Sequence, residues 1–224
     1  MLVRSSCCCV ALSLLLTAQA WKVVKVEEFG AKADNKTLSS DQINEAIRNV
    51  SLQGGGTVLA SAPGSYLVAR VEMMSNVKLV IGPQSVLHGS GVASHWKQRN
   101  WVFPKGCEKT SNPSGGPRGG VFWASNQHNF TITGGGTVDG AGSIFNSDSK
   151  RSNLLVFVGC SDVLVEDLFL QNSSAWNLNP MFSNDLVFRR LHMSEGGGHG
   201  HNTDGFDPWG CRNAQFLDSH YAAG

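Results

Sequence analysis

Residues 161–170 read SDVLVEDLFL, and this stretch decides the fold. Asp162 is followed by Val163 and Val165, which lie on one face of an extended chain because side chains alternate along a strand. A second apolar pair, Leu168 and Leu170, repeats the alternation after two acidic residues. The stretch therefore predicts two short strands joined by a polar bend.

The same template recurs along the chain: an Asn or Asp is followed by apolar residues at the first and third positions after it. The copies are Asn76-Val77-Lys78-Leu79, Asn129-Phe130-Thr131-Ile132, Asp162-Val163-Leu164-Val165, Asp185-Leu186-Val187-Phe188 and Asn213-Ala214-Gln215-Phe216. The last four copies begin 33, 23 and 28 residues apart, and the first interval, 53 residues, is interpreted as two such steps. A period of roughly 20 to 35 residues is typical of a solenoid, and two or more strands per step indicate a parallel β-helix.

The alternative among all-β folds is a sandwich of hairpins, which needs return turns about every 8 to 12 residues. The intervals here are longer and share one template, which favours the solenoid. The 224 residues include 26 glycines, which fits many tight turns between short strands, and only 16% are charged. With 18 basic and 17 acidic residues, no basic excess indicates binding to nucleic acid or to an anionic membrane surface.

Residues 1–20 are predicted to be a removed signal peptide. Arg4 supplies positive charge, residues 10–16 form an apolar run too short to span a bilayer, and residues 18–20 read Ala-Gln-Ala, a small-x-small cleavage site. The mature domain is then 21–224, in a secreted protein. Four glycosylation sequons agree with secretion: Asn35, Asn49, Asn129 and Asn172. Three cysteines remain, Cys107, Cys160 and Cys211, so one is unpaired or its partner is absent.

Two segments fall outside the repeat. Residues 42–50 carry apolar side chains at helical spacing and predict one short helix that covers the open end of the β structure. Residues 94–118 hold two tryptophans, Trp96 and Trp101, among several prolines, and predict a long loop between coils. The loop is either a binding wall or a cover for the side of the barrel.

The densest polar cluster is residues 196–209, GGGHGHNTDGFDPW. It has three interpretations: a plain turn, because Asp-Gly and Asp-Pro are turn pairs; a metal site formed by His199 and His201 with Asp204 or Asp207; and a site for carboxylate catalysis. Glycoside hydrolysis generally needs two acidic groups. Asp204 and Asp207 are three residues apart, so on a continuous strand they would point to opposite faces. One of them would then need a partner carboxyl from a neighbouring coil.

The segment 202–208, NTDGFDP, resembles the first catalytic motif of the polygalacturonases, glycoside hydrolase family 28. Three further stretches are similar to that family in the same order: VEEFGAKA at 26–33 with the helix and Gly-Gly-Gly after it, TITGGGTVDG at 131–140, and LQNSSAWNLNP at 170–180. The resemblance runs from about residue 23 to the last residue. It implies a right-handed parallel β-helix that hydrolyses pectic polysaccharide with inversion, without a metal or other cofactor.

The resemblance also implies site residues. Asp204 matches the catalytic aspartate that helps to activate the attacking water, and we expect Asn202, His201 and Asp207 beside it to bind substrate. In the family, two adjacent aspartates follow a glycine on the next coil, and Gly224 is similar to that glycine. We therefore expect a domain whose C-terminal coils and second carboxyl lie beyond these 224 residues, and little hydrolysis by these residues alone.

Two departures from the family pattern limit the resemblance. His199 lies in a Gly-His-Gly that the family has after the catalytic aspartate, so no role is transferred to it, and Asn179 stands where the family often has His. The expected protein is a monomer in the cell wall that acts on pectic polysaccharide. The alternatives are a β-helix that binds the polysaccharide without cleaving it, and a pectate lyase, which would need an acidic Ca²⁺ cluster.

Overall fold

The computed structural model describes residues 21–96, 120–142, 152–195 and 202–222, and it confirms the right-handed parallel β-helix. Within these ranges one α-helix, α1, spans Ser40–Leu52, and short 3-10 helices span Val26–Phe29 and Ala93–His95. The strands are β1 Lys22–Lys25, β2 Asp34–Leu38, β3 Gly56–Ala60, β4 Gly64–Val68, β5 Val71–Glu72, β6 Val77–Ile81, β7 Ser85–Gly89, β8 Gly120–Ser125, β9 His128–Thr133, β10 Thr137–Asp139, β11 Asn153–Val158, β12 Ser161–Gln171, β13 Leu178–Met181, β14 Asn184–Ser194, β15 Arg212–Leu217 and β16 His220–Ala222.

The strands form three parallel faces around one core. The first face contains β1, β3, β6 and β9, followed by the first halves of β12 and β14 and by β15. The second face contains β2, β4, β7 and β10, the second halves of β12 and β14, and β16. The third face contains β5, β8, β11 and β13. The long strands β12 and β14 bend from the first face to the second at Asp167 and Arg190, which both have positive φ.

The backbone conformation explains why each copy of the repeat begins with Asn or Asp. All five of these residues have φ between 51° and 65°, the left-handed region in which Asn and Asp are the best tolerated residues after glycine. They stack on one another from coil to coil. Asn129 donates from Nδ2 to Oδ1 of Asn76 at 2.9 Å, and Asn213 donates to Oδ1 of Asp185 at 2.7 Å. The template therefore marks the turn that begins each coil.

The interpretation of the 53-residue interval as two coils is wrong. Lys78 on β6 pairs directly with Thr131 on β9, so the copies that begin at 76 and 129 belong to neighbouring coils. A single coil therefore extends from residue 76 to residue 128. The loop predicted at 94–118 belongs within this coil, although most of it lies outside the described residues. Spacing alone cannot distinguish an extra coil from an insertion within one.

A series of aromatic side chains runs through the core. Phe157 lies between Phe130, with ring centroids 5.2 Å apart, and Phe188, at 6.4 Å. The series continues through Phe206, 5.4 Å from Phe188, to Phe216, 5.6 Å from Phe206. Phe130, Phe157 and Phe188 are at most 1% exposed. The coils that begin at Asn129 and Asp185 each contribute two of these rings, and the coil that begins at Asn213 contributes one.

The predicted capping helix is confirmed, and its polar side chains explain how it closes the end. Four side chains are fully buried against the first coils: Ile43, Ala46, Ile47 and Val50. The Asn44 side chain accepts from the Glu72 amide at 2.7 Å and donates to the Arg70 carbonyl at 3.1 Å. The Ser40 hydroxyl accepts from the Ala69 amide at 2.8 Å. Helix α1 therefore satisfies backbone groups of the sheet edge that a preceding strand would otherwise bind.

The described parts of the chain contain no helix long and apolar enough to cross a membrane. Of the cysteines, Cys160 and Cys211 are both free thiols, and Cys107 lies outside the described residues. Burial raises the pKa of Cys160 to about 11, so this thiol is unreactive at neutral pH. The predicted signal peptide at residues 1–20 also lies outside the described residues.

Candidate functional site

The candidate catalytic segment continues the third face as a loop. Residues 202–209 contact β13 through two isolated parallel bridges, Leu178 to Phe206 and Met181 to Trp209. The residues between these bridges and before them form no regular strand. Strict alternation of side chains, on which the expectation of opposite faces for Asp204 and Asp207 depended, therefore does not apply here.

Asp204 is held by its backbone and is exposed at its side chain. Its carbonyl accepts from the backbone amide of Asn177 at 2.9 Å. The preceding carbonyl, of Thr203, accepts from Nδ2 of Asn177 at 3.0 Å and from the hydroxyl of Tyr221. These bonds come from the coil before Asp204 and from the coil after it. They hold the backbone at Asp204 in place, and the residue stays open to solvent.

Asn177 also connects the segment to a buried carboxyl group. Its Nδ2 donates to Oε1 of Glu195 at 2.7 Å, and the two residues are 0% and 3% exposed. Burial raises the pKa of Tyr221, and the negative charges of Glu195, Asp204 and Asp207 raise it further. Three carboxyl groups therefore lie near enough to Tyr221 to affect its pKa. Sequence reasoning did not identify Asn177 or Glu195, and the only available signal was the place of Asn177 within the 170–180 motif.

Asp207 is half-buried, unlike Asp204. Its backbone amide donates to the Leu178 carbonyl at 2.8 Å, and its own carbonyl accepts from Nδ2 of Asn179 at 3.0 Å. Its Oδ2 is enclosed and has no hydrogen-bond partner among the described residues. Burial, and then the charge of Asp204, raise the pKa of Asp207 to about 6. The two carboxyls are thus close enough to interact, and the enclosure of Asp207 is the larger cause of its raised pKa.

Replacing Asp207 by asparagine is expected to make the fold more stable at pH 7. The raised pKa means that folding favours the protonated form, so wild-type stability falls as the pH rises from about 4 through 6. Asparagine has no such charge, and the gain at pH 7 should be about 1 to 2 kcal/mol. Urea unfolding at pH 4 and at pH 7 measures it. If the free energies of unfolding of variant and wild type differ by the same amount at both pH values, the raised pKa of Asp207 is contradicted.

Only some of the predicted site residues lie in the part of the chain that the structure describes. Asn202 is exposed, adopts a φ of 60°, and lies two residues before Asp204 on the same loop. His199 and His201, predicted as possible metal ligands or, for His201, as a substrate contact, lie outside the described residues. Within the four described ranges, no group of three or more His, Cys, Asp or Glu side chains is arranged to hold a metal ion. The turn interpretation and the catalytic one are compatible, because Asp204 lies on an exposed loop.

Comparisons with known proteins agree with this arrangement. The family model of glycosyl hydrolases family 28 matches residues 74–223. A relative named "Probable polygalacturonase" from Vitis vinifera is 25% identical over 207 residues, covering 88% of this chain and 42% of the relative. A polygalacturonase from Gossypium hirsutum is 27% identical over 208 residues, covering 86% of this chain and 46% of the relative. The chain therefore spans less than half the length of these relatives.

A solved structure shows the same fold. The exopolygalacturonase of Thermotoga maritima superposes with a TM-score of 0.72 at 20% sequence identity, covering 89% of this chain and 52% of that one. At 20% identity this similarity shows the fold alone. The family model, in contrast, matches the sequence from the first copy of the repeat through the Asp204 loop. The chain belongs to glycosyl hydrolases family 28.

Proposed function

We propose that the native protein hydrolyses glycosidic bonds of pectic polysaccharide with inversion of configuration, and that Asp204 helps to activate the attacking water. The observation that carries the proposal is the Asp204 loop: an exposed carboxylate whose backbone is fixed by Asn177 and Tyr221. A water-activating carboxylate must be ionised, accessible and held in place. Asn202, His201 and Asp207 are proposed to contact the substrate beside it.

Inverting hydrolysis needs a second carboxyl about 6.5 to 9.5 Å from the first, which protonates the leaving oxygen. Asp207 is poorly placed for this role, because its Oδ2 is enclosed behind the loop. We propose that another carboxyl of the native protein donates the proton. The 224 residues expressed alone should then release reducing ends at least about 10²-fold more slowly than the native protein, since general acid catalysis typically contributes ~10²–10⁴-fold.

The proposal includes a cellular setting. The protein is proposed to be a secreted, glycosylated monomer of the cell wall, with the polysaccharide as its partner. Family membership supports the substrate class, and the predicted signal peptide supports the export. No nucleic acid or membrane partner is proposed, because the net charge is only +1.

Reducing-end release from polygalacturonate by the native protein tests the proposal, with EDTA added to a parallel reaction. We expect release that EDTA does not change. Binding to polygalacturonate on a glycan array without release of reducing ends would support the non-catalytic alternative instead. Loss of activity with EDTA, together with unsaturated products, would indicate a lyase and contradict the proposal.

A further inference from the structure

Glu195 is a buried carboxyl group near the candidate catalytic loop, and the proposed mechanism does not use it. It follows β14 directly and is only 3% exposed. Burying a charged group costs free energy unless hydrogen bonds replace the water that it loses. Its Oε1 accepts from Nδ2 of Asn177 at 2.7 Å, a distance typical of charge-assisted hydrogen bonds. Glu195 is therefore too deep to contact a polysaccharide, and any effect that it has on the site passes through its neighbours.

Asn177 is the neighbour that links Glu195 to the Asp204 loop. It is 0% exposed and lies on the coil before the one that carries both acidic residues. Its Nδ2 has two hydrogens, and besides Glu195 it donates to the Thr203 carbonyl at 3.0 Å. Its backbone amide donates to the Asp204 carbonyl at 2.9 Å. One residue thus connects the buried carboxylate with the backbone that carries the Asp204 side chain.

The charge of Glu195 decides which way the Asn177 amide faces. An asparagine side chain has one donor end and one acceptor end, and an ionised carboxylate only accepts hydrogen bonds. The Nδ2 end therefore faces Glu195 and the Thr203 carbonyl, whereas Oδ1 is enclosed without a hydrogen-bond partner among the described residues. In the reverse orientation Oδ1 would face two further acceptors, and both hydrogen bonds would be lost.

Tyr221 supports the same carbonyl from the following coil. Its hydroxyl donates to the Thr203 carbonyl, and a Cβ atom added at Gly205 would lie 3.0 Å from its ring. The ring therefore packs on the backbone directly after Asp204. Burial, and then the negative charge of Glu195, raise the pKa of Tyr221. The buried carboxylate thus lies near both side chains that donate to the backbone of the loop.

We infer that Glu195 is a positioning residue for the candidate catalytic carboxylate: it orients the Asn177 amide, which holds the backbone immediately before Asp204. The inference deepens the proposed function and rests on it for the role of Asp204. A reacting group that is misplaced by about 1 Å can lose as much as ~10²-fold in rate. Glu195→Gln introduces an amide that donates as well as accepts, so either end of the Asn177 amide can face it. The Tyr221 hydroxyl still holds the Thr203 carbonyl, so we expect only part of that loss.

Steady-state hydrolysis of polygalacturonate by the native protein tests the inference on Glu195→Gln. We expect kcat to fall about tenfold and KM to stay within about twofold, because Glu195 acts on the reacting geometry and does not contact the substrate. Glu27→Gln is the matched control. It removes a half-buried carboxylate that accepts from the Tyr66 hydroxyl at the capped end of the β-helix. Whatever its effect on the melting temperature, its kcat should equal that of wild type.

A double substitution separates positioning from a merely structural role. Asn177→Asp alone places two carboxylates side by side and should lower the melting temperature most. Adding Glu195→Gln restores a charge-assisted hydrogen bond with donor and acceptor exchanged, so the melting temperature should return to within about 4 °C of wild type. No side-chain N–H of residue 177 then faces the Thr203 carbonyl, so kcat should stay at least about tenfold low. The double variant decides the question even if Glu195→Gln alone does not fold.

Hydrogen exchange of the Asn177 side chain gives a readout that needs no substrate. In heteronuclear NMR of the native protein with labelled asparagine, these amide protons are assigned by their absence from Asn177→Asp. They should exchange slowly in wild type, because both are buried and hydrogen-bonded. In Glu195→Gln they should exchange about tenfold faster, the effect of weakening one charge-assisted hydrogen bond.

Three outcomes would overturn the inference: a wild-type kcat for Glu195→Gln, a kcat of the double variant that recovers together with its melting temperature, or equal exchange of the Asn177 amide in wild type and Glu195→Gln. The proposed function fails separately. Undiminished hydrolysis by Asp204→Asn contradicts the proposed function, and the exchange rates then still report whether Glu195 orients Asn177.

Discussion

Replacing Phe157 by alanine is expected to destabilise the folded chain by about 3 to 5 kcal/mol, the usual cost of removing a fully buried aromatic ring. Phe157 is 1% exposed and contacts the rings of Phe130 and Phe188 in the core, so the cavity left behind would interrupt the aromatic series. The measurement is urea unfolding followed by circular dichroism. A loss of this size is a large part of the stability of an ordinary domain.

Phe169→Ala is the matched control for this variant. Phe169 points outward from the second face, is 50% exposed and stacks on His192, so its loss should cost at most about 1 kcal/mol. Similar losses for the two phenylalanines would contradict the role of the aromatic series in the core.

Replacing Asp204 by asparagine in the native protein is expected to lower hydrolysis of polygalacturonate by at least about 10²-fold. The side-chain volume and the backbone bonds to Asn177 are retained, so only the carboxylate is removed. Binding of the polysaccharide should stay within a few fold, because Asp204 is proposed to act on water. Reducing-end release and calorimetry on the same preparation separate the two effects.

Asp162→Asn supplies the control for the aspartate substitution. Asp162 occupies the coil-starting turn, where other copies of the template have asparagine, and its φ of 54° suits either residue. The Asp162→Asn variant should hydrolyse polygalacturonate as fast as the wild type. Undiminished hydrolysis by Asp204→Asn would remove Asp204 from the catalytic site.

The repeat predicts much of the fold because it has a local cause. An Asn or Asp in the left-handed region starts each coil, and the apolar residues after it point into the core, so both signals are visible in short segments. The 53-residue interval was wrongly predicted to be two coils, because the template shows where coils begin and nothing about how long each coil is. Only the pairing of Lys78 with Thr131 reveals that these coils are neighbours.

The sequence predicts the exposed carboxylate of the candidate site, but it does not predict the buried residues that hold the loop in place. The motif around Asp204 pointed to a catalytic carboxylate, but the expectation that Asp207 faces the other way assumed a continuous strand. Asn177 and Glu195 are close to Asp204 only because coils stack, and no spacing along the chain expresses a contact between coils.

The anomeric configuration of the first product tests the central claim most directly. Proton NMR of polygalacturonate digested by the native protein, recorded before the product equilibrates, should show a new reducing end of configuration opposite to that of the cleaved bond. This is the signature of direct attack by a water that a carboxylate activates. A product that retains the configuration, or an unsaturated product, would contradict hydrolysis through Asp204 as proposed.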